Sequence, residues 1–381
     1  MLQSDRVNHK TLLGLVFIWA IIQGAATPLT GMNQRGIHSL SPAFFTGLYF
    51  LAAALFFPFP QMLMKRFRVY TLAKLAVFLG VLSILPMGMD LPPEKLAICR
   101  ILQGISSTLL LVTVETELLT TSTAANRAGA LGQLEVWLVL GGGTGAALAP
   151  LIWSITPWMA GLIPAIPAMI VLIMPFKSSA SNYESPICPA QSGSVRSATP
   201  LFLIMTAMAQ GLVEGVLMAF LTPWLISNHW NETSISAAFA SLFAGIISSQ
   251  IYLSRLAFEH GYGNLLIICH MGVAIGFFYL ACPNHEILTL SALFIIGLGI
   301  GCQYPVAQAG LAESVSPQHI PLAASIFLAS NAFGCLISSP LGGFIQSTWG
   351  TVFLYNCVGT FCLTLVLAGL GDCWIARKST S

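Results

Sequence analysis

Runs of about 20 apolar residues recur twelve times along this chain, and no other feature limits its fold so strongly. A helix rising ~1.5 Å per residue needs that length to cross ~30 Å of hydrocarbon. We place the runs at 12–32, 40–58, 72–89, 94–120, 131–153, 157–175, 201–227, 235–256, 264–281, 287–312, 322–345 and 351–371. Pro58, Pro60, Pro92, Pro93, Pro157, Pro175, Pro283, Pro317 and Pro321 punctuate them. The narrowest separation is Ser154–Pro157, between the fifth and sixth runs. Only 7% of the residues are charged, against roughly a quarter in soluble domains. So few charges cannot cover a water-facing surface of this size. A soluble enzyme, a nucleic-acid-binding protein and a disordered chain are therefore excluded. The expected fold is an all-α integral membrane protein of twelve transmembrane helices, with the lipid bilayer as solvent and no nucleic-acid partner.

The basic residues orient the spans. With the N-terminus inside, the inner segments hold Arg6, Lys10, Lys65, Arg66, Arg68, Lys74, Arg127, Lys177, Arg196, Arg255, Arg377 and Lys378. The outer loops hold only Arg35 and Lys95, and Arg100 falls within a span. That asymmetry follows the positive-inside rule. It predicts a multi-pass protein of the inner (plasma) membrane with both termini cytoplasmic. The run Leu12 to Leu29 reads as the first span, since it is too long for the core of a cleavable signal. The nine cysteines form no CxxC pair. We infer from them neither a disulfide framework nor a metal site, and no cofactor is expected.

The longest connection, 176–200, is rich in Ser, Pro and Ala. It reads as a cytoplasmic linker between a six-helix half at 1–175 and another at 201–381. An offset of 193 residues relates the two. Gln61–Arg68 falls on Ser254–Gly261, Gly104 on Gly297, Gly132 on Ser325, Gly141 on Gly334 and Gly145 on Ser338. The expected architecture is two pseudo-symmetric six-helix halves.

These features resemble the major facilitator superfamily over nearly the whole chain. Its loop between spans two and three reads like Gly-x-Leu-Ala-Asp-Arg-x-Gly-Arg. Here the loop holds Leu63, Lys65, Arg66 and Arg68, and its copy Leu256, Ala257, Phe258, Glu259 and Gly261. Lys65 and Phe258 stand where the family has Asp. Arg100–Gly104 is similar to the Arg-x-x-x-Gly element of span four. Gly132, Gly141 and Gly145 are similar to the span-five glycine pattern of antiporters, although Ala146 replaces its Pro and Ala149–Pro150 its final Gly-Gly. The resemblance implies a two-half parallel repeat. It also implies a central cavity lined by spans one, four, seven and ten.

An ionisable side chain inside a span needs an account. Arg100 lies about seven residues, or ~10 Å, inside the outer end of span four. Glu214 lies about fourteen residues, or ~20 Å, from the inner end of span seven. The resemblance puts both on cavity-lining spans, one from each half. Glu214 reads as a protonatable carboxylate that couples protons to substrate, or as a static interhelical partner. Arg100 reads as its tuning partner, as an anchor for an anionic substrate group, or as a brace between spans. Gln23, Gln103, Gln210, Trp224, Gln303 and Tyr304 are candidate substrate-binding residues, suited to an amphipathic organic solute more than to a bare ion. Lys65, Arg66, Arg68, Glu115, Glu117, Arg255 and Glu313 form a candidate gating cluster at the inner ends of the spans, with solvated helix ends as the alternative. His270 reads as structural, since the family's ninth span is peripheral.

The chain has no Walker element, no His-Glu-x-x-His and no nucleophile–base pair at matching depth. We therefore expect a secondary transporter, functional as a monomer, and no enzyme. The partial glycine pattern favours proton-coupled efflux of a small-molecule substrate. Import of a nutrient, metabolite or metal chelate stays open, as does a non-transporting membrane receptor or sensor.

Overall fold

The computed structural model describes residues 9–33, 42–64, 66–121, 124–174, 200–282, 285–315 and 320–378. The 176–200 linker, apart from Pro200, lies outside the described residues. All regular structure among those described is helical. The helices are α1 (His9–Met32), α2 (Pro42–Phe56), α3 (Phe59–Met64), α4 (Val69–Ile84), α5 (Pro93–Thr121), α6 (Ala124–Ile155) and α7 (Pro157–Ile173). After the linker come α8 (Pro200–Ser227), α9 (Glu232–His260), α10 (Tyr262–Leu280), α11 (Glu286–Ser314) and α12 (Ile320–Lys378). A 3-10 turn, Leu85–Gly88, extends α4.

Eight stretches among the described residues are long and apolar enough to cross a membrane, and Ala43–Phe56 and Pro157–Ile173 are shorter apolar helices. One stretch, Ile326–Gly371, holds two arms of α12 that meet at Gly350, where φ is +85°. That angle is open to glycine and strained for other residues. Counting both arms and α9, the chain forms the twelve helices that the apolar runs predict. The break at Ser154–Pro157 also holds. Thr156 is extended, with φ −155° and ψ 102°, and Pro157 opens α7. Proline disfavours helical backbone in the residue before it and suits the first helical turn, so one residue separates two helices. The sequence reading missed α3 and the 3-10 turn, which are too short to carry an apolar period.

Two compact units emerge, residues 1–40 with 48–187, and residues 41–47 with 188–381. Within the first, α1 packs along α6 and α4 along α5. Within the second, α8 packs along α12, and α11 along α9 and α10. Glycines set the closest approaches. A Cβ on Gly104 would lie 2.2 Å from Tyr49 O and 3.0 Å from Ala53 N. A Cβ on Gly297 would lie 2.1 Å from Leu242 O and 3.0 Å from Ile246 N. The partners are offset by the same 193 residues as the glycines, so the repeat is one of packing as well as sequence. On α6, Cβ atoms on Gly141 and Gly145 would lie 2.4 Å from Phe17 O and 2.0 Å from Ile21 O. On α12, a Cβ on Gly334 would lie 2.0 Å from Met208 O, and one on Gly215 of α8 would lie 1.9 Å from Ser338 Oγ. In this second seam the small residue has moved from α12 to α8. Small residues let helix backbones approach where apolar area alone gives no drive, as in lipid.

Lys74 ties down a helix end. Its Nζ donates to Leu172 O at 3.1 Å and Met174 O at 2.5 Å, at the C-terminus of α7. The last carbonyls of a helix lack intrahelical donors and carry partial negative charge, so an ammonium suits them.

Candidate functional site

Arg100 is the eighth residue of α5 and only 2% exposed. Its Nη1 donates to Gln103 Oε1 at 2.6 Å, one turn along the same helix. The guanidinium carbon stands 4.8 Å from the centre of the Tyr49 ring of α2. An aromatic face attracts a cation most strongly where water is excluded. Tyr49 is fixed in turn, its hydroxyl donating to Ser107 Oγ at 3.0 Å. Gln103 Nε2 lies 3.3 Å from Met87 Sδ. Met87 O accepts from Asn33 Nδ2 at 2.7 Å, and Leu91 N donates to Asn33 Oδ1 at 3.3 Å. One polar chain thus links α1, α2, the 3-10 turn and α5. Arg100 Nε has no hydrogen-bond partner among the described residues, and no ion pair to the guanidinium is found there.

The polar residues of α8 are spaced by four. Thr206, Gln210 and Glu214 form an i, i+4, i+8 stripe, one above another on the helix surface. Glu214 is the fifteenth of 28 residues in α8. It is half-buried, with Cys335 of α12 beside it. Among the described residues no donor or cation pairs with its carboxylate. Gln210 Oε1 is buried without a partner.

Gln303 of α11 is 1% exposed. Its Nε2 lies 3.1 Å from His270 Nδ1, and His270 Nε2 lies 3.2 Å from Thr206 Oγ1. Gln303 Oε1 has no hydrogen-bond partner among the described residues. His270 therefore bridges α8 and α11 from α10. Tyr304 packs edge-on against Phe327 at 5.1 Å, and Trp224 edge-on against Tyr355 at 5.5 Å. Trp224 is buried within the second unit. In the first unit, Gln23 is half-buried and its Nε2 has no hydrogen-bond partner among the described residues.

In the candidate gating cluster, Glu115 and Glu117 are buried while Arg66 and Arg68 are exposed. Lys65 and the side chains of Arg255 and Glu313 lie outside the described residues. No group of three or more His, Cys, Asp or Glu side chains that could hold a metal is found among those described.

The structure brings Arg100 together with Gln103, and Gln303 with His270. Sequence reasoning missed Tyr49, Asn33 and Thr206 because their partners lie in distant segments. For Thr206 a signal was present, namely its i, i+4 spacing from Gln210 and Glu214.

The sequence profile described as Major Facilitator Superfamily matches residues 203–375. An uncharacterised MFS-type transporter of Yersinia pseudotuberculosis serotype O:3 (strain YPIII) is 27% identical over 264 residues. That match covers 67% of this chain and 66% of the relative, a little under two thirds of its length. The glucose/mannose transporter GlcP of Bacillus subtilis (strain 168) is 29% identical over 145 residues, covering 37% of this chain and 35% of GlcP. Among solved structures, a D-xylose–proton symporter superposes with a TM-score of 0.68 at 14% identity, over 95% of this chain and 96% of that one. The nucleoside transporter NupG gives 0.67 at 13%, over 96% and 99%. The fold and its twelve helices agree with the sequence motifs: the chain is a multi-pass membrane protein whose residues 203–375 match the Major Facilitator Superfamily profile.

Proposed function

We propose that the protein is a proton-coupled secondary carrier, working by alternating access as a monomer, for a small neutral hydroxylated solute. The observation that carries the coupling is Glu214. It is a carboxylate halfway along a 28-residue apolar helix, half-buried and with no partner among the described residues. A carboxylate held by a fixed cation keeps its charge, whereas an unpaired one can exchange a proton as its surroundings change. Arginine stays protonated, so Arg100 cannot make that exchange. Its role in this reading is to hold the outer part of the first unit together and to bind or tune.

The solute class is supported by the buried amides. In the second unit Gln210 and Gln303 offer unused acceptors among the described residues. The hydroxyls of a polyol, sugar or nucleoside donate to such acceptors. The matched Bacillus relative carries glucose and mannose by its name, which agrees with this class. Of the three glycines behind the expectation of efflux, Gly141 and Gly145 are accounted for by their contact with α1, whereas Gly132 meets nothing within 4 Å. Uptake is our preferred direction.

The test is counterflow and pH-gradient-driven uptake in proteoliposomes, across pentoses, hexoses and nucleosides. Accumulation of one of these with an inward proton gradient supports the reading. Binding without flux would point to a receptor, and gradient-driven extrusion to efflux.

A further inference from the structure

His270 sits where the ninth span reads as structural scaffolding, yet its two ring nitrogens are both engaged. We propose that His270 is a positioning residue: it fixes which end of the Gln303 amide is left free, and so makes Gln303 a hydrogen-bond acceptor for a donor group on the solute. This rests on the reading of a hydroxylated solute and extends it.

The argument follows the protons. Thr206 Oγ1 donates its one hydrogen to Phe202 O at 2.9 Å. At its contact with His270 Nε2, 3.2 Å away, the hydroxyl oxygen must then accept. Nε2 carries the ring proton, and Nδ1 is left as an acceptor. Gln303 meets Nδ1 at 3.1 Å and must present its amino end there. Its Oε1 is consequently turned away, and it is the atom found buried without a partner. The reverse amide orientation would set Oε1 against an unprotonated Nδ1, two acceptors face to face. Phe202, edge-on to the imidazole at 6.1 Å, closes the side of the ring. The ring is 0% exposed, so no water competes for Nδ1.

A buried acceptor left unpaired is unfavourable, and such atoms are few in native proteins. Among the atoms so left in the second unit are the amide oxygens Gln210 Oε1 and Gln303 Oε1. Gln210 stands one turn from Thr206 on the same stripe of α8, and Thr206 is the far end of the chain that orients Gln303. Two unused acceptors call for a solute with at least two donor hydroxyls. A solute bearing only ether or carbonyl oxygens would leave both unpaired.

The test compares two isosteres. In His270→Asn, Oδ1 takes the place of Nδ1 and accepts from Gln303, while the contact with Thr206 is lost. In His270→Gln, the amide reaches the place of Nε2 and Thr206, while the partner of Gln303 is lost. Binding of the hexose, pentose or nucleoside that the unaltered protein binds best is measured by equilibrium dialysis, with single-deoxy analogues. Thermal stability without solute is recorded for both variants, and 15N spectra of the His270 imidazole for the unaltered protein.

The expected result is affinity within about threefold of the unaltered protein in His270→Asn, and a loss of about tenfold in His270→Gln, the scale of one hydrogen bond. One deoxy analogue should bind the unaltered protein about tenfold more weakly, with that difference gone in His270→Gln. The spectra should show a protonated Nε2 and an unprotonated Nδ1. A purely structural histidine would make affinity indifferent to the Asn/Gln choice, and that outcome overturns the proposal. So does a protonated Nδ1. If no solute of the panel binds the unaltered protein, the functional reading fails first, and the inference falls with it.

Discussion

Arg100 is legible in the sequence as a charge inside an apolar run, and its relation to Gln103 follows from helical spacing. What stacks on it is not legible. Tyr49 lies in another helix, and nothing in its neighbourhood distinguishes it from an ordinary membrane aromatic. The same holds for Asn33, whose partners Met87 and Leu91 follow two further spans along the chain. Local patterns reveal partners on one helix; they are silent about partners brought together by packing. The Tyr49 ring and hydroxyl contribute separately to holding Arg100. Tyr49→Phe keeps the ring but drops the bond to Ser107, and should lower stability by about 0.5–1.5 kcal/mol. Tyr49→Leu also removes the cation–π contact, and should lower it by a further 0.5–2 kcal/mol or so. Thermal unfolding in detergent distinguishes the two, and equal losses would remove the ring from the account of Arg100.

Among the elements, α6 teaches most, because one sequence pattern divides there into unlike parts. Gly132, Gly141 and Gly145 read alike in sequence. A Cβ on Gly132 meets nothing within 4 Å, whereas one on Gly145 would fall 2.0 Å from Ile21 O. Gly145→Ala should therefore force α6 away from α1 and destabilise by about 1–3 kcal/mol. Gly132→Ala should be neutral, or stabilising by up to about 1 kcal/mol through helix propensity. The midpoint of thermal unfolding checks both, and equal responses would mean that the seam tolerates a methyl group. The spacing of the glycines was visible in sequence. Which of them touch a backbone was not, since that depends on how α6 is rotated about its axis. Most of the twelve helices were visible as long apolar runs, and the shorter ones, Ala43–Phe56 and Pro157–Ile173, because proline or turn residues bound them. The α3 helix and the 3-10 turn were hidden because they are short and bury no continuous face.

For the molecule as a whole, charge asymmetry makes a prediction that native cysteines can test. Cys282 is exposed beyond the end of α10, in a connection that the topology puts outside. Cys188 falls in the linker, which the topology puts inside. A membrane-impermeant maleimide added to intact cells should label Cys282 and spare Cys188, with labelling at Cys188 appearing after lysis. The reverse pattern would invert the topology.

The central claim is that Glu214 carries the coupling proton, and one paired measurement in proteoliposomes tests it most directly. In Glu214→Gln the side chain keeps its size and polarity but can no longer change charge. Solute accumulation driven by a pH gradient should fall to the level of empty liposomes, while counterflow of labelled against unlabelled solute continues. Gradient-driven accumulation at the rate of the unaltered protein would contradict the account and leave Glu214 a structural carboxylate.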